Sequence, residues 1–398
     1  MPGVPAPELS PPDPRLAPFL TAYPPDLFSE RFHWSCELVD RYASACAVEV
    51  ARALELERAL ARPATLGEAL ERAGCVPGFA PALHWLLERL SAEGHVARDG
   101  DHFRWTPTLA SSELGGRAEL RQRALDVDPA NQATLALFDA ATAAYPAVAR
   151  GTAPGEALLF GLGQIGLWVD YFSAGNPVYA VNNRLAAHAA ARALAASPRQ
   201  ELRILEVGAG AGSATLALLE ELGVAGLLSR VVEYASSEPS TFFRRRAERA
   251  LRARFPELAL RFLALDIDQD WAAQGAPAGS FDLVLGVNVF HVARRLVPAL
   301  EQARQALAPG GALVAGECLR LWPRQPVANE FPFLLLDGFT LVETEPEVRP
   351  EPGFLEPAAW RSALARAGFV TVGIEPDLDR IRVIHPRFNT GALTARAG

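Results

Sequence analysis

The chain reads as α/β, a seven-stranded and mostly parallel sheet with helices on both faces, preceded by an α-helical region. Three observations carry this reading. From Leu202 onward short aliphatic runs alternate with helix-period runs. The stretch "RILEVGAGAGSATLALLEEL" (203–222) joins a strand to a helix through three glycines at alternate positions. Before about residue 200 the pattern is helical almost throughout, with one short hairpin signal.

Size and charge set the outer bounds. The 398 residues leave room for two or three domains, and with half of them apolar a sizeable core is expected. There is no lysine; all 38 basic residues are arginine against 46 acids, giving a formal net charge of −8. That sign disfavours a protein devoted to a phosphate backbone or an anionic membrane. Cys36, Cys46, Cys75 and Cys318 lack metal-ligand spacing, so no zinc site or disulfide framework is expected, and no other metal-ligand motif is nominated. A reducing, cytoplasmic setting follows from that usage. The start "MPGVPAPELSPPDPRLAP" shows no basic and apolar signal pattern, and no apolar run has membrane length.

Four regions are expected. Residues 1–30, dense in proline, read as a disordered or extended lead-in. Residues 31–110 read as a winged-helix-like domain. "ELVDRYASACAVEVARALELERAL", "TLGEALERAG" and "GFAPALHWLLERLSAEG" are helices, the last two ending at Gly74 and Gly94, and "HVARDGDHFRWTP" alternates around Asp99-Gly100 as a hairpin. Its third helix carries His84, Glu88, Arg89 and Glu93, close to neutral where nucleic acid would demand cations. Residues 111–200 read as a helical bridge or lid, with "FSAGNPVYAVNN" a loop that could cover a ligand or simply connect helices. Residues 201–390 hold the sheet, with strands at "RILEV", "VVEYAS", "RFLALD", "FDLVLGV", "ALVAGE", "FVTVGI" and "RIRVIHP". Only "EPDLD" separates the last two, too little for a crossover helix, so they should pair antiparallel.

In such a sheet a ligand lies beyond the carboxyl ends of the strands. Gly208, Gly210 and Gly212 let the first turn approach it without a Cβ. The dinucleotide fingerprint would place its third glycine at position 213, which is Ser213. Glu206 ends the strand, where a carboxylate could bind a ligand ammonium; Glu238, after "VVEYASS", is placed for ribose hydroxyls; Asp266 could receive an adenine amino group beside the apolar Ile267. Each of these acids taken singly reads equally as a helix cap or a solvated strand end. Together they occupy the ends of three successive strands.

"ILEVGAGAGSATL", "ALDID", "GSFDLVLGVNVFH" and "ALAPGGALVAGE" resemble, in order, the motifs of class I S-adenosylmethionine-dependent methyltransferases over residues 201–386. The resemblance implies a Rossmann-like seven-stranded sheet with an antiparallel last strand. It implies S-adenosylmethionine as cofactor, held by Glu206, Gly208, Gly210, Gly212, Glu238, Asp266, Ile267 and Asn288. Within that superfamily "NVFHVARRL" followed by "ALVAGECL" is similar to the carbon-methylating domains of polyketide synthases, which implies a catalytic pair of His291 and Glu317. The chemistry is consistent with those residue types. A carbon between two carbonyls is acidic enough for a histidine of ordinary pKa ≈ 6.5 to deprotonate, and a carboxylate on the other ring nitrogen would fix the tautomer.

The expected acceptor is therefore an activated carbon of a small polyketide-like or acyl-thioester substrate, free or tethered to a carrier protein. Two other readings stand beside it. The winged-helix region is also similar to that of small-molecule O-methyltransferases, in which it implies a homodimer through the N-terminal helices. Those carry a strand-end histidine in a His-Asp-Trp context, where this chain has "FHVAR". A non-catalytic S-adenosylmethionine-binding or DNA-binding regulator should have a basic third helix or a ruined fourth-strand site, and neither is seen.

Overall fold

The computed structural model describes residues 13–106, 116–161 and 163–398, which divide into two compact units. The first comprises Ser29–Tyr171 and Trp322–Leu341. The second comprises Asp13–Phe28, Phe172–Leu321 and Val342–Gly398.

Local capping explains where the helices of the first unit begin. Ser29 accepts the Phe32 N–H (3.2 Å) at the head of the Glu30–Ala53 helix. Thr65 and Glu68 form a reciprocal capping box ahead of Leu66–Arg72. The helix Ala80–Ala92 and the two-stranded wing, β1 (Val96–Asp99) and β2 (His102–Trp105), complete a winged-helix order. Gly100 turns the wing at φ +59°. Arg89 on the third helix is buried and bound to Asp40 at 2.8 Å, so its charge is used inside the unit. Segment 322–341 packs here as well. Tyr145 stacks on Phe331 at 4.7 Å and donates to its carbonyl at 2.7 Å, while Trp85 Nε1 donates to the Val327 carbonyl.

The second unit is built on a seven-stranded sheet: β3 (Leu202–Val207), β4 (Val231–Ser237), β5 (Leu260–Leu263), β6 (Phe281–Val287), β7 (Leu307–Cys318), β8 (Phe369–Glu375) and β9 (Thr390–Ala397). The spatial order is β5-β4-β3-β6-β7-β9-β8; β9 runs antiparallel to both neighbours and the pairs among β3 to β7 are parallel. The order reverses beside β3, so a crevice opens where β3 and β6 deliver their loops. The helices Leu296–Ala306 and Pro357–Arg366 bury Leu300, Ala303, Trp360 and Ala363 in the core with Phe281 and Leu313 of the sheet. The Pro177–Ala195 helix packs on β6, β7 and β9. Gly316 makes that approach possible, since a Cβ there would lie 2.8 Å from Ala186 Cβ.

Three expectations need correction. "FSAGNPVYAVNN" is a loop only as far as Asn176; from Pro177 it is the start of the Pro177–Ala195 helix, whose first position proline suits. Residues 13–28 of the expected lead-in are helical, with the Ala17–Ala22 helix and buried Leu16, Phe19, Leu27 and Phe28; residues 1–12 lie outside the described part. Apolar side chains at those positions find a core, which outweighs the extending tendency of the prolines. "RIRVIHP" is not a strand. Asp377 accepts the Arg380 N–H (3.1 Å) and starts the short helix Leu378–Arg382. The antiparallel strand is "TGALTARA" instead, whose small residues have weak strand preference but are held between β7 and β8 on both sides.

Candidate active site

The glycine loop leaves β3 with left-handed backbone at Gly208 (φ +66°), Gly210 (φ +54°) and Gly212 (φ +89°). Their surroundings differ. A Cβ at Gly208 would lie 2.3 Å from Val289 Cγ2, and one at Gly212 would lie 3.3 Å from Ala247 and Leu251. At Gly210 a Cβ would meet nothing within 4 Å. Gly208 and Gly212 therefore serve packing, and Gly210 is the member that faces open space.

Glu238 lies across this loop from β4. One carboxylate oxygen accepts the Gly210 N–H (3.0 Å) and the other the Ser240 N–H (2.9 Å). Burial raises its pKa, an effect those backbone donors and Arg244 oppose. Asp266 sits in the loop after β5, exposed, accepting the Asp268 N–H (3.0 Å), with half-buried Ile267 packed on the core beside it. Asn288 takes a left-handed conformation (φ +51°) just after β6, and its side-chain carbonyl accepts the Cys318 N–H at 3.0 Å. An open turn at Gly210, a carboxylate beside it and an apolar residue at the next strand end fit a nucleoside-bearing ligand.

Glu206 is placed differently from the other acids. It is 1% exposed beneath the loop and accepts from the Thr215 hydroxyl and from Tyr234 OH (2.9 Å). Burial pushes its carboxyl up to about 7, and the neighbouring Glu238 charge adds to the rise, while the two hydroxyl donors pull the other way. Here Glu206 ties β3, β4 and the Ser213–Val224 helix together.

His291 stands in a single 3-10 turn, Phe290–Val292, four residues beyond β6. The neighbouring strand β7, in register Val287 to Gly316, brings Glu317 alongside. His291 Nδ1 lies 2.6 Å from Glu317 Oε2, and the other oxygen accepts the Phe290 N–H at 3.2 Å. Both residues are buried, at 5% and 0% exposure. A pair removed from water in this way is electrostatically strong, and the carboxylate fixes which ring nitrogen carries the proton.

Some partners were not visible in the sequence. Tyr234 shares a sheet face with Glu206, which the β3–β4 register makes evident only once the strands are known to be neighbours. Phe354, edge-on to the His291 ring at 4.8 Å, and Arg349, which donates to the His291 carbonyl at 3.1 Å, come from a proline- and glutamate-rich stretch without periodicity.

Comparison with known proteins adds to this geometry. Residues 205–313 match the family described as a methyltransferase domain. The chain carries a methyltransferase domain. The trans-methyltransferase CalH, solved in complex with SAH, superposes with a TM-score of 0.62 at 22% identity, covering 91% of this chain and 90% of that one. The lovastatin diketide synthase of Aspergillus terreus is 35% identical over 193 residues, which is 47% of this chain but 7% of that protein, so the chain spans a small part of the curated relatives it matches. Among solved structures, the CurJ carbon methyltransferase superposes with a TM-score of 0.76 at 24% identity, covering 96% of this chain and 97% of that one. The DszA carbon methyltransferase gives 0.71 at 24% identity, covering 98% and 95%. At that identity the two likenesses establish the fold of this methyltransferase.

Proposed function

We propose that this methyltransferase alkylates carbon: that it moves a methyl group to the acidic α-carbon of a β-ketoacyl thioester, with His291 as general base. The observation that carries the reading is the buried His291–Glu317 pair, 2.6 Å apart, at the ends of two adjacent strands beside the glycine loop. The similarity to a diketide synthase and to carbon methyltransferases supports the acceptor class, as does the ordinary acidity of a carbon between two carbonyls.

The cofactor supplies a methyl carbon already activated by its sulfonium, so the chain has two tasks: to align the reactants and to provide a carbanion. Gly210 leaves room for the nucleoside, Glu238 presents carboxylate oxygens to ribose hydroxyls, and Asp266 with Ile267 borders the adenine. Gly208 and Gly212 shape the loop, Asn288 shapes the floor, and Glu206 stands under the methionine end. With Nδ1–H donated to Glu317, His291 takes the acceptor's α-proton at Nε2. The carboxylate then stabilises the imidazolium until the proton is lost to solvent. Burial keeps water from competing for the developing carbanion. The natural acceptor is proposed to be tethered to an acyl carrier protein.

The test is incubation with S-adenosylmethionine and β-ketoacyl thioesters, both as small-molecule thioesters and on a carrier protein, with the methylated atom located by tandem mass spectrometry and NMR. Methylation at the α-carbon is expected. Methylation at oxygen would shift the assignment to O-methyl transfer. Cofactor binding without transfer to either form would overturn the acceptor class.

A further inference from the structure

Residues 343–355 form a strap of turns and single bridges that reaches His291 and the chain just beyond Glu317. On one side Arg349, 1% exposed, sends Nη1 to the carbonyls of His291 (3.1 Å) and Ala293 (2.7 Å) and Nη2 to that of Arg294 (2.7 Å). Its Nε donates to the Glu343 carbonyl (3.0 Å), and reciprocal main-chain bonds with Glu345 (2.7 and 2.8 Å) fix the arginine's own backbone. On the other side Leu355 bridges to Leu319, two residues past Glu317, and Arg320 bonds Glu351 (2.5 Å) and the Pro352 carbonyl (3.0 Å). Between the two, Phe354 meets the His291 ring edge-on at 4.8 Å.

A one-turn 3-10 segment has poor internal hydrogen bonding, and its trailing carbonyls need donors when they are buried. A guanidinium is the side chain suited to this, because its rigid planar fork reaches several acceptors in fixed directions and a lysine ammonium cannot. We infer that Arg349 is a positioning residue for methyl transfer: by holding the main chain at His291 and at the residues just after it, it aims the imidazole at the acceptor while Glu317 holds Nδ1. This rests on the reading of His291 as the base. Nothing in the strap need touch cofactor or acceptor. Loss of the clamp lets the turn relax, and a misplacement of about 1 Å at a reacting group costs roughly 10²-fold in rate.

The experiment compares Arg349→Met and Arg349→Lys with His291→Ala and with the double variant Arg349→Met/His291→Ala. Turnover is measured together with S-adenosylmethionine affinity by calorimetry and the imidazole N–H resonance of the ¹⁵N-histidine-labelled protein, assigned by its loss in His291→Ala. Arg349→Met should lower kcat by roughly 10²-fold with cofactor affinity unchanged. The Glu317-bonded N–H signal should shift or broaden, and the substitution should cost nothing further in the His291→Ala background. The lysine variant keeps charge and stem, so it remains measurable where the methionine variant fails to fold, and it should show the same resonance change. Wild-type kcat in the arginine variants, or an equal loss with and without His291, would overturn the inference. If His291→Ala itself turns over normally, the base assignment fails instead, and an unperturbed resonance in the arginine variants then refutes the clamp independently.

Discussion

Glu317 holds His291 at two points: one oxygen lies 2.6 Å from the imidazole Nδ1, and the other accepts the N–H of Phe290, the residue before the histidine. Both oxygens therefore have to be acceptors. Glutamine at 317 turns an amide NH2 toward one of two donors, and the arrangement cannot be rebuilt. We expect Glu317→Gln to lower kcat at least about tenfold, and His291→Ala to lower it by about 10²–10⁴-fold, the usual range for a general base. Calorimetry should find S-adenosylmethionine affinity intact in both. A large loss of affinity in His291→Ala would make that residue structural.

The three loop glycines should respond differently to substitution. Gly208→Ala places a methyl 2.3 Å from Val289 Cγ2, so thermal stability should fall sharply. Gly210→Ala meets open space and carries only the left-handed strain of about 1–2 kcal/mol, so its melting temperature should drop less. Gly210→Val should nevertheless abolish cofactor binding, because the open space it fills is where the ligand would lie. Retained binding would place the ligand elsewhere.

Glu238 should be read through affinity. Its two oxygens are oriented by the Gly210 and Ser240 N–H groups, and glutamine would face one of those donors with another donor. A charged hydrogen bond is worth about 1.5–3 kcal/mol, so Glu238→Gln should weaken S-adenosylmethionine binding by about 10- to 100-fold with little change in kcat at saturation.

Glu206 makes stability depend on pH. In the unfolded chain its carboxyl titrates near 4.5, while burial in the fold pushes it up to about 7. The folded state thus keeps a proton that the unfolded state has already released. The stability this provides is fully present below about pH 4.5 and is lost as pH rises toward 7. Glu206→Gln mimics the protonated form and still offers an oxygen to Thr215 and Tyr234. Relative to that variant, the melting temperature of the wild type should decline between about pH 5 and pH 8. Parallel curves would mean that the carboxyl titrates normally.

Much of the sheet was legible because its strands are aliphatic runs separated by helix-period runs, and runs such as "FDLVLGV" can hardly be read as anything but a buried strand. The last strand was not. The Ala and Gly residues of "TGALTARA" take strand geometry from their neighbours, whereas the β-branched pattern of "RIRVIHP" suggested a strand to which local capping by Asp377 gives another outcome. At the site, the juxtaposition of His291 and Glu317 depends on β6 and β7 being adjacent, which local signals do not encode, although the motif order implied it. Arg349 was out of reach, since a buried arginine bonded to main-chain carbonyls leaves no mark in charge pairing or periodicity.

The membership of the two units also bears on how this protein could be recombined. Residues 13–28 belong with the sheet and 322–341 with the helices, where Phe331 stacks on Tyr145. Neither body is a contiguous stretch of the gene. A crossover that exchanged residues 205–313 between relatives would carry away the glycine loop and His291 but leave Glu317 and Arg349 behind. A graft that keeps His291 with Glu317 and Arg349 has to run from before β3 to beyond residue 355, and it brings the 322–341 excursion with it. Transplanting this chemistry therefore also imports a piece of the other body's core.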